Sequence, residues 1–143
     1  MRRASSLILP AACLAVHIAA RELALACLPP PGQAATGGAP ALALHFNRGV
    51  AFSLFKSHPA AAYLLALAGV LLLAALYFKA PPPRRSRAWG LLFAGAAGNL
   101  LDRFTYGHVV DWLRLGPVHV NAADMLLCAG GALLAIELLA RDE

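Results

Sequence analysis

Charge is what this chain lacks most. Asp, Glu, Lys and Arg together supply 13% of its residues while apolar types supply 60%, whereas a soluble globular domain carries about a quarter charged residues. The deficit argues against a water-soluble domain and for a chain whose natural solvent is a bilayer. Cysteine is also sparse. Cys13, Cys27 and Cys128 all sit inside apolar runs, with neither a disulfide framework nor metal-ligand spacing, so they are expected as small buried apolar residues. Internal repeats are missing. The net charge of +5 comes without an aromatic-interleaved basic patch, so no nucleic-acid surface is expected. The basic residues lie instead at the ends of apolar runs, where membrane topology puts them.

What is there is a succession of apolar segments within a single expected domain, residues 1–143. The spacing predicts an all-α integral membrane protein with four transmembrane helices, at about 6–28, 58–78, 87–106 and 122–140. The third is the unusual one. Its uninterrupted apolar run, 88–101, would reach only about 21 Å as a helix, short of the roughly 30 Å hydrocarbon core. Continuing it to Tyr106 restores the length but carries Asn99, Asp102 and Arg103 into the membrane near one end.

Orientation follows from the cations. Lys79, Arg84, Arg85 and Arg87 crowd the connection between spans two and three, and Arg2, Arg3 and Arg141 flank the termini. The positive-inside rule makes that side cytoplasmic, so both termini are expected inside and the loop 29–57 outside. The opening Met-Arg-Arg and its apolar run also have the shape of a secretory signal peptide, with Leu-Ala-Leu-Ala-Cys at 23–27 as a cleavage site. Arg21 and Glu22 interrupt the run where small uncharged residues belong, so the first span is expected to be retained. In the outer loop, Pro and Gly dominate 29–40, a flexible composition. The partial alternation of Leu42, Leu44 and Phe46 then fits a small β-like or amphipathic segment at the outer face.

The polar residues converge on one layer at the outer boundary. Asn99 lies three residues before Asp102 and four before Arg103, so both pairs can share a helical face. Asp111 falls in the following loop, Asn121 and Asp124 open the fourth span, and Asn47 belongs to the first outer loop. Structural readings exist for each. Asn121 and Asp124 look like a helix cap with an acid in the first turn. Asp102 and Arg103 could serve an ion-pair network, His108 and His119 suit interfacial side chains, and Trp89 and Trp112 suit interfacial anchors. The functional reading concerns Asp111 and Asp124. Two carboxylates brought together cannot both ionise cheaply, so one keeps its proton. The ionised partner can act as a general base on water while the protonated one donates to a carbonyl oxygen, with no metal or other cofactor. A serine or cysteine mechanism fits worse, since no His stands in an obvious motif.

These residues resemble the signal peptidase II family, the bacterial prolipoprotein signal peptidases. The matching pieces are Asn-Arg-Gly-Val-Ala-Phe-Ser at 47–53, Gly-Asn-Leu-Leu-Asp-Arg at 98–103, Gly-His-Val-Val-Asp-Trp at 107–112 and Asn-Ala-Ala-Asp at 121–124. Each is weak alone; the four in order are specific, and with the span pattern they cover nearly the whole chain. The resemblance implies an intramembrane aspartic endopeptidase of the bacterial inner membrane, with its active site near the outer face. It would remove the signal peptide from diacylglyceryl-modified prolipoproteins, cutting just before the lipidated cysteine. It implies Asp111 and Asp124 as the catalytic pair, and Asn47, Gly49, Asn99, Asp102, Arg103 and Asn121 as substrate-binding or supporting residues. Gly49, Ala51 and Phe52 would belong to a segment closing over the substrate. Prolipoproteins and membrane lipids are the implied partners, a monomer is expected, and neither metal nor cofactor is implied.

One departure stands out. The family's first span usually carries Asp-Gln-x-Ser/Thr-Lys, where this chain has His17-Ile18-Ala19-Ala20-Arg21, with Glu22 at hand to supply the missing carboxylate. The connection from Asp111 to Asn121 is also short for the family. Two other readings compete: a non-catalytic paralogue that binds lipidated peptides, motivated by His17, and a channel or transporter subunit, which intramembrane polar residues suit in general but for which repeat symmetry is missing.

Overall fold

A computed structural model of the chain describes residues 2–33, 41–49, 59–79 and 87–140. The expected closing residues Ala51 and Phe52, most of the basic connection expected on the cytoplasmic side, and Arg141 lie outside the described residues. Within them the order of elements is α1 (Arg2–Cys27), β1 (Ala41–Asn47), α2 (Pro59–Lys79), α3 (Arg87–Tyr106), β2 (Val109–Leu115), β3 (Val118–Val120) and α4 (Ala122–Leu139). Three stretches, Leu7–Cys27, Ala60–Lys79 and Ala122–Leu139, are long and apolar enough to cross a bilayer. α3 has the length, at 20 residues, but Asn99, Asp102 and Arg103 dilute its hydropathy.

α3 is the hub, packing against α1, α2 and α4. Its approach to α4 is close because small residues face each other. A Cβ at Gly95 would stand 2.5 Å from the Ala123 carbonyl oxygen, and one at Gly130 would stand 3.0 Å from that of Ala88. Such backbone proximity is how helices associate in lipid, where apolar side chains gain nothing by leaving the solvent. α2 is more peripheral and exposes Leu64, Leu65, Leu71, Leu72, Leu76 and Phe78, a surface suited to acyl chains. An aromatic cluster joins it to α3, with Tyr77 at 5.7 Å from Trp89 and 5.6 Å from Phe93 between ring centroids. Trp89, expected as an interfacial anchor, is therefore buried in a helix contact. The cysteines also depart from expectation. Cys27 and Cys128 are exposed on helix surfaces and only Cys13 is partly covered, because a lipid-facing position suits an apolar thiol as well as a core does.

The segment expected at the outer face is more than one strand-like stretch. β1 runs antiparallel to β2 in the register Asn47↔Val109, Phe46↔Val110 and His45↔Asp111, with a shift between Leu42 and His45. β2 in turn pairs antiparallel with β3. Residues 107–121 were expected as a loop; they form a hairpin whose two-residue turn starts on Gly116 at φ 63°, followed by Pro117. Glycine at positive φ is what a tight hairpin turn demands. The sheet is seated on the end of α1, where Leu44 and Val110 close a small core with Ala24, and Leu28, Phe46, Tyr106 and Trp112 pack around it.

Candidate functional site

The site begins at the first turn of α4. Asn121 is the N-cap, with extended backbone, and its side-chain oxygen accepts from the Asp124 amide while the Asp124 carboxylate accepts from the Asn121 amide. This reciprocal capping box satisfies two of the N–H groups that a helix start leaves unpaired. It also fixes where the second carboxylate points. Asp124 Oδ2 takes the Asn121 N–H at 3.2 Å, and Oδ1 takes the Asn99 side-chain N–H at 2.8 Å from α3. The cap reading and the site reading describe the same geometry.

Asp111 enters from the sheet. It lies in β2, 1% exposed, with its side chain held from two sides: Asn121 Nδ2 donates to Oδ1 at 2.7 Å and Asn47 Nδ2 donates to Oδ2 at 3.2 Å. Asn121 Nδ2 also reaches Asn99 Oδ1 at 3.2 Å. Asn121 and Asn99 thus join the two carboxylates in one network, each carboxylate oxygen receiving an N–H. Burial pushes the Asp111 carboxyl up to about 7, with the nearby Asp124 charge acting in the same direction and the donors from Asn121 and Asn47 and the Arg103 charge opposing it.

Both carboxylates open on one cavity of about 540 Å³ whose polar wall is Asn47, Asn99, Arg103, Asp111 and Asp124. The facing wall is apolar, supplied by Ala66, Gly69, Val70 and Leu73 of α2 with Leu127 of α4. The cavity thus sets two acids against a hydrocarbon surface. Arg103 ties the far rim: its Nη1 donates to the Asn99 carbonyl at 3.0 Å and its Nη2 to the Gly49 carbonyl at 2.7 Å. Gly49 is held in turn by its own amide, which donates to Asn47 Oδ1 at 3.0 Å. Among the described residues, no group of three His, Cys, Asp or Glu is placed to hold a metal ion.

Of the residues singled out from sequence, Asn47, Gly49, Asn99, Arg103, Asp111, Asn121 and Asp124 come together here. Asp102 does not share their cavity. Three residues advance a helix by about 300°, so Asp102 is rotated about 60° from Asn99. In a helix packed on both sides, that rotation is enough to turn it from α4 towards α1. Its Oδ1 accepts from His17 Nε2 at 3.1 Å and Arg21 Nη1 at 2.8 Å, and its Oδ2 accepts from the Val110 amide at 3.1 Å. Glu22 does not supply the carboxylate that the resemblance leads one to expect at position 17. It is exposed and bonds Arg21 and Tyr106 instead. The role of the Val110 amide had no sequence signal, since a backbone donor carries no residue type.

The signal peptidase (SPase) II family profile matches residues 15–140. Among curated proteins, the chain is 38% identical over 99 residues to the lipoprotein signal peptidase of Syntrophomonas wolfei subsp. wolfei, an alignment covering 65% of this chain and 64% of that protein. It is 38% identical over 105 residues to the one from Solibacter usitatus, covering 65% and 64%. The chain thus spans somewhat under two thirds of the length of these relatives. A solved bacterial membrane enzyme, determined by the in meso method at 1.9 Å resolution, has the same fold with a TM-score of 0.76 at 23% identity, covering 98% of this chain and 95% of that one.

Proposed function

The chain belongs to the signal peptidase II family, and from that premise we propose that it is an intramembrane aspartic endopeptidase that removes the signal peptide from diacylglyceryl-modified prolipoproteins, cutting just before the lipidated cysteine. The observation that carries this reading is the placement of Asp111 and Asp124 on one cavity with an apolar opposite wall. With its carboxyl raised to about 7, Asp111 keeps a large protonated fraction at neutral pH, and that form donates its proton to the scissile carbonyl oxygen. Asp124, oriented by Asn99 and the capping box, takes a proton from a water as the water oxygen attacks the carbonyl carbon. Collapse of the tetrahedral intermediate breaks the C–N bond as a hydroxyl proton returns to Asp111, and the proton on Asp124 passes to the departing amine, which restores both carboxyls to their starting states. Pairing two acids in opposite protonation states is the general logic of such dyads, and the pair titrates as a unit.

In this reading the whole chain, 1–143, is one peptidase domain of the bacterial inner membrane. α3 provides the fourth crossing, both termini are cytoplasmic, and the cavity lies near the outer face. The carboxylates then meet a substrate whose lipid anchor fixes the cleavage point at the interface. Asn47, Gly49 and Arg103 line the rim against which the substrate backbone lies, and the enzyme acts as a monomer. The test is cleavage of a lipidated precursor by purified protein in detergent. Asp111→Asn and Asp124→Asn should each lower the rate by at least about 10²-fold, the low end for loss of a general acid or base, while inserting in the membrane as the native chain does. Normal cleavage by either variant would reject the dyad. Binding of the precursor without a shortened product by the native chain would favour a non-catalytic lipopeptide-binding protein.

A further inference from the structure

Of the three aspartates between 102 and 124, Asp102 alone has no wall of the cavity, yet it is fully buried. Its contacts run from α1 to the strand that carries Asp111. On one side, His17 and Arg21, four residues apart and so on one face of α1, both donate to Oδ1. On the other, Oδ2 holds the amide of Val110 at 3.1 Å, immediately before Asp111. His17 and Val110 are each 0% exposed, so neither contact competes with water.

The two donors on α1 are not equivalent. Arg21 is shared: its Nε and Nη2 donate to Glu22 Oε1 at 3.1 and 2.7 Å, and its guanidinium lies 4.9 Å above the Tyr106 ring. Among the described residues, His17 makes a single polar contact, because its Nδ1 is buried and finds no partner there. The ring is wedged against α3, where a Cβ at Gly98 would come within 2.9 Å of His17 Cδ2 and 3.1 Å of the Ala123 Cβ. A rigid side chain placed there can fix a carboxylate more closely than a shared arginine.

We propose that His17 is a positioning residue for Asp111: by donating Nε2–H to Asp102 it fixes the carboxylate that holds the Val110 amide, and so the backbone that aims Asp111 into the cavity. Without His17, Asp102 is free to rotate towards Arg21, and the Val110 N–H loses its acceptor. A buried N–H left unpaired is costly, so β2 shifts to find another partner and the carboxyl of Asp111 moves with it. A displacement of this kind acts on the rate far more than on substrate binding. The proposal rests on the reading of Asp111 as one of the catalytic pair.

The experiment compares His17→Leu, which removes the donor, with His17→Gln, whose amide nitrogen reaches about as far as Nε2. Two readouts are taken on purified protein in detergent: steady-state cleavage of a diacylglyceryl-modified precursor peptide, and hydrogen exchange of the Val110 amide. His17→Leu is expected to lower kcat about tenfold or more with KM changed less than about twofold, and to speed exchange at Val110 about tenfold while the interior of α3 stays protected. His17→Gln should restore both to near the native values. If His17→Leu fails to fold, His17→Asn replaces it, being an amide too short to reach Asp102. Exchange at Val110 unchanged in the donor-less variant, or a glutamine variant as slow as the leucine one at equal folded content, would overturn the proposal. Should the native protein cleave nothing, the peptidase reading fails while the exchange comparison still decides the link from His17 to β2.

Discussion

Asp111 concentrates the residue-scale argument. Folding takes its carboxyl from the ordinary 3.8 to about 7 through burial, so between those values the folded state keeps a proton that the unfolded chain has released. Stability from this group is therefore fully present below about pH 4 and is lost as pH rises to about 7, on the order of 4 kcal/mol in all. Asp111→Asn removes the ionisation. Thermal unfolding in detergent from pH 4 to 8 should show a native midpoint that declines across that window and a variant midpoint that declines less. Parallel curves would mean that Asp111 ionises in the folded protein as easily as in the unfolded one. The residue types of this pair were legible in the sequence because acids near hydrocarbon are conspicuous. The part of Asn121 was not. A capping asparagine and an asparagine that bridges two carboxylates look identical until Nδ2 is found 2.7 Å from Asp111 Oδ1. For Asp102, proximity in sequence suggests the company of Asn99, whereas the helical rotation turns its carboxylate to His17 and Arg21 of α1 and to the Val110 amide.

Among the elements, the contact of α3 with α4 sets the distance between Asn99 and Asp124. Gly95 has no room for a side chain, since a Cβ would lie 2.5 Å from the Ala123 oxygen and 2.8 Å from Leu127 Cγ. Gly95→Leu must push the helices apart at the level of the first turn of α4. We expect a loss of roughly 1–3 kcal/mol, typical of an overpacked interior, seen as a lowered unfolding midpoint in detergent, and a rate reduced through the Asn99–Asp124 bond. Gly131, beside which a Cβ meets nothing within 4 Å among the described residues, is the control whose alanine variant should leave activity unchanged. An active, equally stable Gly95→Leu protein would show that the helices can re-pack without moving the site. The helices themselves were readable, because span length and apolar composition are local properties. The hairpin was not. Val-Val-Asp-Trp-Leu-Arg-Leu is a short run that periodicity alone cannot assign, and its partner β1 lies in a distant part of the chain.

At the scale of the molecule, the proposed arrangement has four crossings, with α3 the marginal one. Its polar end is tolerable because Asn99, Asp102 and Arg103 turn inward to partners, as buried polar groups in a bilayer must. A cysteine introduced at Gly116, in the hairpin turn, should react in intact cells with a membrane-impermeant thiol reagent in a background where the three native cysteines are replaced by alanine. Reporter fusions at both termini should signal a cytoplasmic location. Protection of the hairpin in intact cells, with labelling only after lysis, would invert the topology and with it the side from which the substrate is cut.

Composition and the order of apolar runs were enough to determine a membrane chain, its helices and the acids worth suspecting, because hydropathy, helix length and charge are properties a segment carries with it. Only the tertiary structure decided that the cap of α4 is also the bridge of the site, that Asp102 answers to His17 and not to the cavity, and that Asp111 rides on a strand. Those outcomes depend on which segments meet and at what rotation, and both are set by packing between residues far apart in the chain.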